Sequence, residues 1–126
     1  MAPNISVILP VYNSARFIEE AICSILKQTM SDFELIVIND GSTDVSGEIL
    51  EKIASTDSRI RLIQRLNKGL IPTLNEGLAL AKSPFIARMD ADDISMPNRL
   101  ELQYDYLIKR MSGMFFDFKR CGNLVP

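Results

Sequence analysis

Residues 5–44 read ISVILPVYNSARFIEEAICSILKQTMSDFELIVINDGSTD, and they set the fold class. Ile5–Val11 is a short, nearly continuous apolar run centred on Val7, Ile8 and Leu9. Such a run reads as a strand buried on both faces. Ile18, Ala21, Ile22, Ile25 and Leu26 then recur at helical spacing and form one apolar stripe. Asn13 or Ser14 is the expected cap of that helix. Phe33–Asn39, with Leu35, Ile36, Val37 and Ile38, is a second buried strand. Asp40-Gly41-Ser42-Thr43-Asp44 closes the stretch as a turn and cap cluster.

The same alternation continues downstream. Ile49, Leu50, Ile53 and Ala54 mark a second helix. Ile60–Arg65 is a third strand, and its polar positions Arg61 and Gln64 place it at a sheet edge. Asn67-Lys68-Gly69 is a turn, and a third helix is expected over Pro72–Ala81, with Pro72 in the first turn. Phe85–Met89 is a fourth strand ending in Asp90-Ala91-Asp92-Asp93. Ser95-Met96-Pro97 is expected to open a fourth helix that runs to about Arg110. Strands alternating with helices imply a parallel sheet with right-handed crossovers. The expected strand order is 3-2-1-4. Met111–Pro126 shows no period and is expected to be an irregular tail, so the domain proper is residues 1–110.

Composition bounds the chemistry. The 126 residues suit a single domain of the usual size of roughly 100–150 residues. A net charge of -2 gives no bulk attraction to nucleic acid or to anionic lipid, so no nucleic-acid partner is expected. No apolar run approaches the ~20 residues of a membrane span, and no basic segment followed by an apolar stretch opens the chain. Cys23 and Cys121 form no CxxC pair; a half-buried Cys23, a loose Cys121 and a cytoplasmic protein are expected. The chain contains no histidine. A Ser-His-Asp triad, a Cys-His dyad and a His-ligated zinc site are therefore excluded within it.

In an open parallel sheet, ligands bind beyond the carboxyl ends of the strands, where the strand order reverses. Three loops would converge there: Pro10-Val11-Tyr12-Asn13, Asp40-Gly41-Ser42, and Asp90-Ala91-Asp92-Asp93. GxGxxG and GxxxxGK[ST] are both missing, so no glycine-rich phosphate cradle is encoded. A phosphate would meet carboxylates instead. Two unit charges ~4 Å apart repel by about 4 kcal/mol at an effective dielectric near 20. The crevice therefore calls for a cation, and carboxylate oxygens suit Mg²⁺ or Mn²⁺. Taken singly, each of these features has an ordinary structural reading as turn, cap or surface residue; the combination carries the argument. An EF-hand beginning at Asp90 fails, because Ser95 stands where glycine is required and Pro97 lies inside the loop. An aspartate-nucleophile phosphatase would carry its Asp-x-Asp after the first strand, not the fourth.

Four stretches occur in order: Ser6–Asn13, Val37–Asp44, Asn67-Lys68-Gly69, and Ile86–Ser95 with Pro97, Arg99, Leu100, Glu101 and Gln103. Together they resemble the family 2 glycosyltransferases of GT-A fold, especially bacterial enzymes that build surface polysaccharide. The resemblance implies a Rossmann-like three-layer α/β/α domain that binds a nucleotide-sugar donor, usually a UDP-sugar, and serves a glycan or lipid-linked acceptor. It implies that Pro10, Val11 and Tyr12 line the base, that Asp40 hydrogen-bonds it, that Asp90 approaches the ribose, and that Asp92, with Asp90, holds the metal. Lys68 and Arg88 would steady the phosphates or the sugar. The family's general base, an Asp or Glu on later strands, has no counterpart here, so no catalytic residue is expected in this chain. The chain is expected to stop after the fourth helix, short of the acceptor half. Peripheral association with the inner membrane face and a homodimer through the exposed edge fit that expectation. The alternatives are a non-catalytic donor-binding or interaction module and, more distantly, a nucleotidyltransferase.

Overall fold

A computed structural model describes residues 2–112. Eight elements alternate as β1 (Ile5–Val11), α1 (Ile18–Leu26), β2 (Phe33–Asp40), α2 (Ser46–Ala54), β3 (Ile60–Arg65), α3 (Leu70–Leu80), β4 (Ile86–Arg88) and α4 (Arg99–Ser112). The strands form one parallel sheet in the order β3-β2-β1-β4. This is the expected order, with β3 at an edge.

The period-two geometry of a strand divides the sheet's apolar residues between two layers. Val7, Leu9 and Val11 of β1 join Leu35 and Val37 of β2 in one cluster with the α1 stripe, Leu50 of α2, and Leu100 and Met111 of α4. Ile18, Ile22 and Ile25 of that stripe are fully buried. Each contributes roughly 1.5–3 kcal/mol relative to an exposed side chain. Ile8, also buried, points to the other face and meets α3. This explains why β1 and β2 lack a hydrophobic alternation: both of their faces are covered.

The helix starts differ from expectation for identifiable reasons. Neither Asn13 nor Ser14 caps α1 with its side chain. Asn13 is committed to the loop after β2, and the Ser14 hydroxyl donates to the Tyr12 carbonyl at 3.0 Å. The Ser14 carbonyl instead accepts from Phe17 and Ile18 in a tight turn, and the helix begins at Ile18. Helix α3 begins at Leu70, so Pro72 falls inside its first turn, where a missing N–H costs nothing. Helix α4 begins at Arg99, after Pro97. Residues 95–98 are held in a non-helical path because Thr29 donates to the Pro97 carbonyl at 2.8 Å and Gln28 to the Met96 carbonyl at 2.6 Å. Gln28 also caps α4, its Oε1 accepting from the Leu100 N–H at 3.0 Å. Strand β4 is shorter than expected, with three residues. Helix α4 continues through Met111 and Ser112, two residues that had been assigned to the irregular tail; residues 113–126, Cys121 among them, lie outside the described residues.

Gly77 sets the distance between α3 and the sheet. A Cβ placed there would lie 2.6 Å from Ile8 Cγ2. Alanine favours a helix interior by ~1 kcal/mol over glycine, but overpacking a buried contact costs typically ~1–3 kcal/mol. Gly77→Ala is therefore expected to destabilise the protein by about 1–2 kcal/mol in chemical denaturation, with an unchanged denaturant slope.

Candidate functional site

Strand β1 is flanked by β2 and β4, so the loops after all three strands open onto one side of the sheet. They enclose a cleft of about 620 Å³. Pro10, Val11 and Tyr12 form one wall, Asp40 lies at its base, and Arg88, Asp90 and Asp92 form the opposite wall. Lys68 does not line the cleft. The expected site residues thus meet in one place, Lys68 excepted.

The first wall is held by an interlock of two loops. Asn13 adopts φ 47°, in the left-handed region that asparagine tolerates better than most residues. That turn directs its side chain at the loop after β2. Asn13 Oδ1 accepts from the backbone N–H of Thr43 at 2.7 Å and of Asp44 at 3.3 Å, while its own N–H donates to Ser42 Oγ at 2.9 Å. Ser14 N–H donates to Ser46 Oγ at 2.9 Å, and Ala15 N–H to Asp44 Oδ2 at 3.2 Å. Tyr12, anchored beside this lattice, is 52% exposed and presents its ring to the cleft without packing elsewhere.

Asp40 is the buried charge of the site, with only 5% of its surface exposed. Register places it directly beside Arg65, and the two form an ion pair. Asp40 Oδ1 also accepts from the Lys68 N–H at 2.8 Å, and Oδ2 from the Gly69 N–H at 3.1 Å and Asn67 Nδ2 at 3.3 Å. A carboxylate offers about four acceptor positions, and these donors fill them. A base could reach Asp40 only by displacing one of them. Asp40 instead holds the Asn67–Gly69 turn against the cleft. Arg65 extends the network to Glu76 at 2.8 Å and to Thr73 at 2.5 Å, both on α3. The turn also passes close to Gly41, at φ 69°, where a Cβ would lie 2.4 Å from Asn67 N.

On the opposite wall, Arg88 pairs with Asp90 at 3.2 Å, and both side chains are largely in solvent. Such a pair contributes no more than ~1 kcal/mol. The loop closes on itself: Asp90 N–H donates to Asp93 Oδ2 at 3.1 Å and Asp93 N–H to the Asp90 carbonyl at 3.0 Å. Carboxylate oxygens of Asp90, Asp92 and Asp93 lie within 4.8 Å of one another, and all three residues are exposed. This set of hard oxygen donors fits Mg²⁺ or Mn²⁺. Asp93 joins the two residues expected from the sequence.

Sequence reasoning overlooked Arg65, Asn67, Gly69, Leu70 and Thr73, the last four of which line the cleft. Asn67 and Gly69 had been read as a turn, which they are. Arg65 carried no signal beyond a charge at a strand end, and only the register reveals its partner.

The sequence profile of glycosyl transferase family 2 matches residues 6–123. An uncharacterized glycosyltransferase of Haemophilus influenzae is 46% identical over 128 aligned positions, covering 95% of this chain and 40% of the relative. The first curated relatives are all much longer, and the chain spans 27% to 40% of their lengths. Among solved structures, Staphylococcus aureus TarS 1–349 in complex with UDP-GlcNAc superposes with a TM-score of 0.77 at 30% identity, over 86% of this chain and 32% of that one. The mannosyltransferase PcManGT from Pyrobaculum calidifontis, in complex with GDP-Man and Mn²⁺, gives a TM-score of 0.72 at 28% identity, over 84% of this chain and 32% of that one.

Three carboxylates set the acid response. Burial pushes the Asp40 carboxyl upward, but the Lys68 N–H, the Arg65 guanidinium and the Gly69 N–H outweigh it and hold it below the ordinary value of 3.8. Ser46 does the same for Asp44, and Arg59 for Asp57. A carboxylate depressed in the folded state stabilises the fold above its unfolded value, and that stability is lost as pH falls through the folded value. The melting temperature is expected to hold from neutral pH to about 5 and to fall below about pH 4. Asp40→Asn should cost about 3 kcal/mol or more at pH 7, since it leaves Arg65 uncompensated, and should flatten the acid limb of the profile.

Proposed function

The chain belongs to glycosyl transferase family 2, and on that footing we propose that its cleft binds a nucleoside-diphosphate sugar, of the UDP class, for transfer to a glycan or lipid-linked acceptor. The observation that carries this reading is the meeting of the Tyr12 ring with the Asp90 and Asp92 carboxylates in one cleft. An aromatic face and a cation-ready acidic loop are the two features that a base and a diphosphate require at opposite ends of one ligand. The 620 Å³ of the cleft falls within the ~300–1,000 Å³ typical of small-molecule sites. TarS bound to UDP-GlcNAc and the mannosyltransferase bound to GDP-Man and Mn²⁺ support the donor class.

The roles follow from the geometry. Tyr12, with Pro10 and Val11, supplies the face against which the base stacks. Asp40 keeps the Asn67–Gly69 turn in place as the floor beneath the base, with Asn67 and Thr73 as polar groups in its lining. Asp90, which Arg88 holds at 3.2 Å, lies toward the ribose, and Arg88 stands near the phosphates. Asp92, with Asp90 and Asp93 in reach, would hold Mg²⁺ or Mn²⁺, whose charge when bound offsets that of the diphosphate and of the departing nucleotide. Without such an ion the acidic wall would repel the donor by several kcal/mol. No helix among the described residues is long and apolar enough to cross a membrane; a cytoplasmic site of action, facing a lipid-linked acceptor at the membrane, is part of the proposal.

Calorimetric titration of UDP, with and without Mn²⁺, tests this reading on the 126-residue chain and on Asp92→Ala. Metal-dependent binding is expected, weakened at least tenfold in the variant. Equal binding under all four conditions would overturn the assignment.

A further inference from the structure

Three carboxylates within 4.8 Å of one another repel in the absence of a cation. Something in the protein must hold their loop together before a ligand arrives. Arg99, the first residue of α4, is half-buried behind that loop. Its Nη2 donates to the carbonyl of Arg88, the last residue of β4, at 2.8 Å, and its Nη1 donates to Ser95 Oγ at 3.1 Å. These anchors lie on either side of the segment that contains Asp90, Asp92 and Asp93. Asp93 adds a facing negative charge to the same guanidinium. The helix end that carries Arg99 is itself fixed from α1: Gln28, 6% exposed, caps the Leu100 N–H, and Ser24 Oγ accepts from the Ser95 N–H at 2.9 Å.

We propose that Arg99 is a positioning residue for the acidic loop, tying its two ends with one planar fork and so setting the spacing of Asp90 and Asp92 before the donor binds. The proposal rests on the assignment of the cleft to a metal-assisted nucleotide-sugar site. Its physical basis is shape as well as charge. A guanidinium presents N–H groups in fixed, diverging directions and can reach two acceptors at once; an ammonium on a flexible stem cannot hold both in the same geometry. Arg99 touches no substrate in this account. It acts through the loop.

The test compares wild type, Arg99→Lys, Arg99→Ala and Asp92→Ala by Mn²⁺ binding in the absence of nucleotide, followed by electron paramagnetic resonance, and by thermal melting. Arg99→Lys keeps the charge and is expected to melt close to wild type, yet to bind Mn²⁺ at least fivefold more weakly; Arg99→Ala should be weaker still. A Lys variant that binds Mn²⁺ as wild type does, while Asp92→Ala loses it, would overturn the proposal and leave the cleft assignment standing. Unchanged Mn²⁺ binding by Asp92→Ala would overturn the cleft assignment and the Arg99 proposal together. If both Arg99 variants unfold, Ser95→Ala removes one anchor and no charge: a loss of twofold or more in Mn²⁺ affinity supports the proposal, and wild-type affinity overturns it.

Discussion

Strand β1 gives both of its edges to parallel neighbours, β2 on one side and β4 on the other. Right-handed crossovers then send the chain to opposite faces of the sheet from adjacent strand ends. A gap is left above the carboxyl end of β1 that no helix fills. The cleft, its walls and its polarity all follow from this arrangement. The Tyr12 wall comes from β1 itself, the Asp40 floor from β2, and the acidic wall from β4. The core below is rigid because β1 and β2 are covered on both faces, so the loops rest on a platform that does not move with them.

The cleft's floor depends on a buried charge. Asp40 would be costly in so enclosed a position without partners. Arg65 provides the countercharge from β3, and the backbone of Lys68 and Gly69 fills the remaining acceptor positions. The arrangement orders a turn that has no other reason to lie against the sheet. Removal of either charge would leave its partner stranded, which is why such pairs are more costly to break than valuable to form. The family resemblance assigns Asp40 to the base. The geometry makes it first the organiser of the floor on which the base would rest.

The acidic wall poses the opposite problem, since its charges are exposed and mutually repulsive. Its order comes from behind. Gln28, Ser24 and Thr29 on the α1–β2 corner hold residues 95–101 in a non-helical path and cap α4. Arg99 then reaches back from the helix end to the loop. A buried glutamine on α1 is thus connected through hydrogen bonds to carboxylates that face the cleft.

Much of this was legible in the residues. The unbroken apolar runs of β1 and β2 require burial on both faces, and the helical stripes between them require crossovers, so the parallel sheet and its strand order followed from patterning. The acidic loop and Tyr12 stood out because strand ends are where such residues face ligands. Helix starts were less legible: a side chain that can cap its own helix can also bond across space, and Asn13 and Gln28 do the latter. The amino-acid sequence by itself determined which segments are strands and helices, because periodicity is a local property. Only the tertiary structure decided that Asp40 belongs with Arg65 and Arg99 with the carbonyl of Arg88, because those pairings depend on register and on the meeting of elements far apart in the chain.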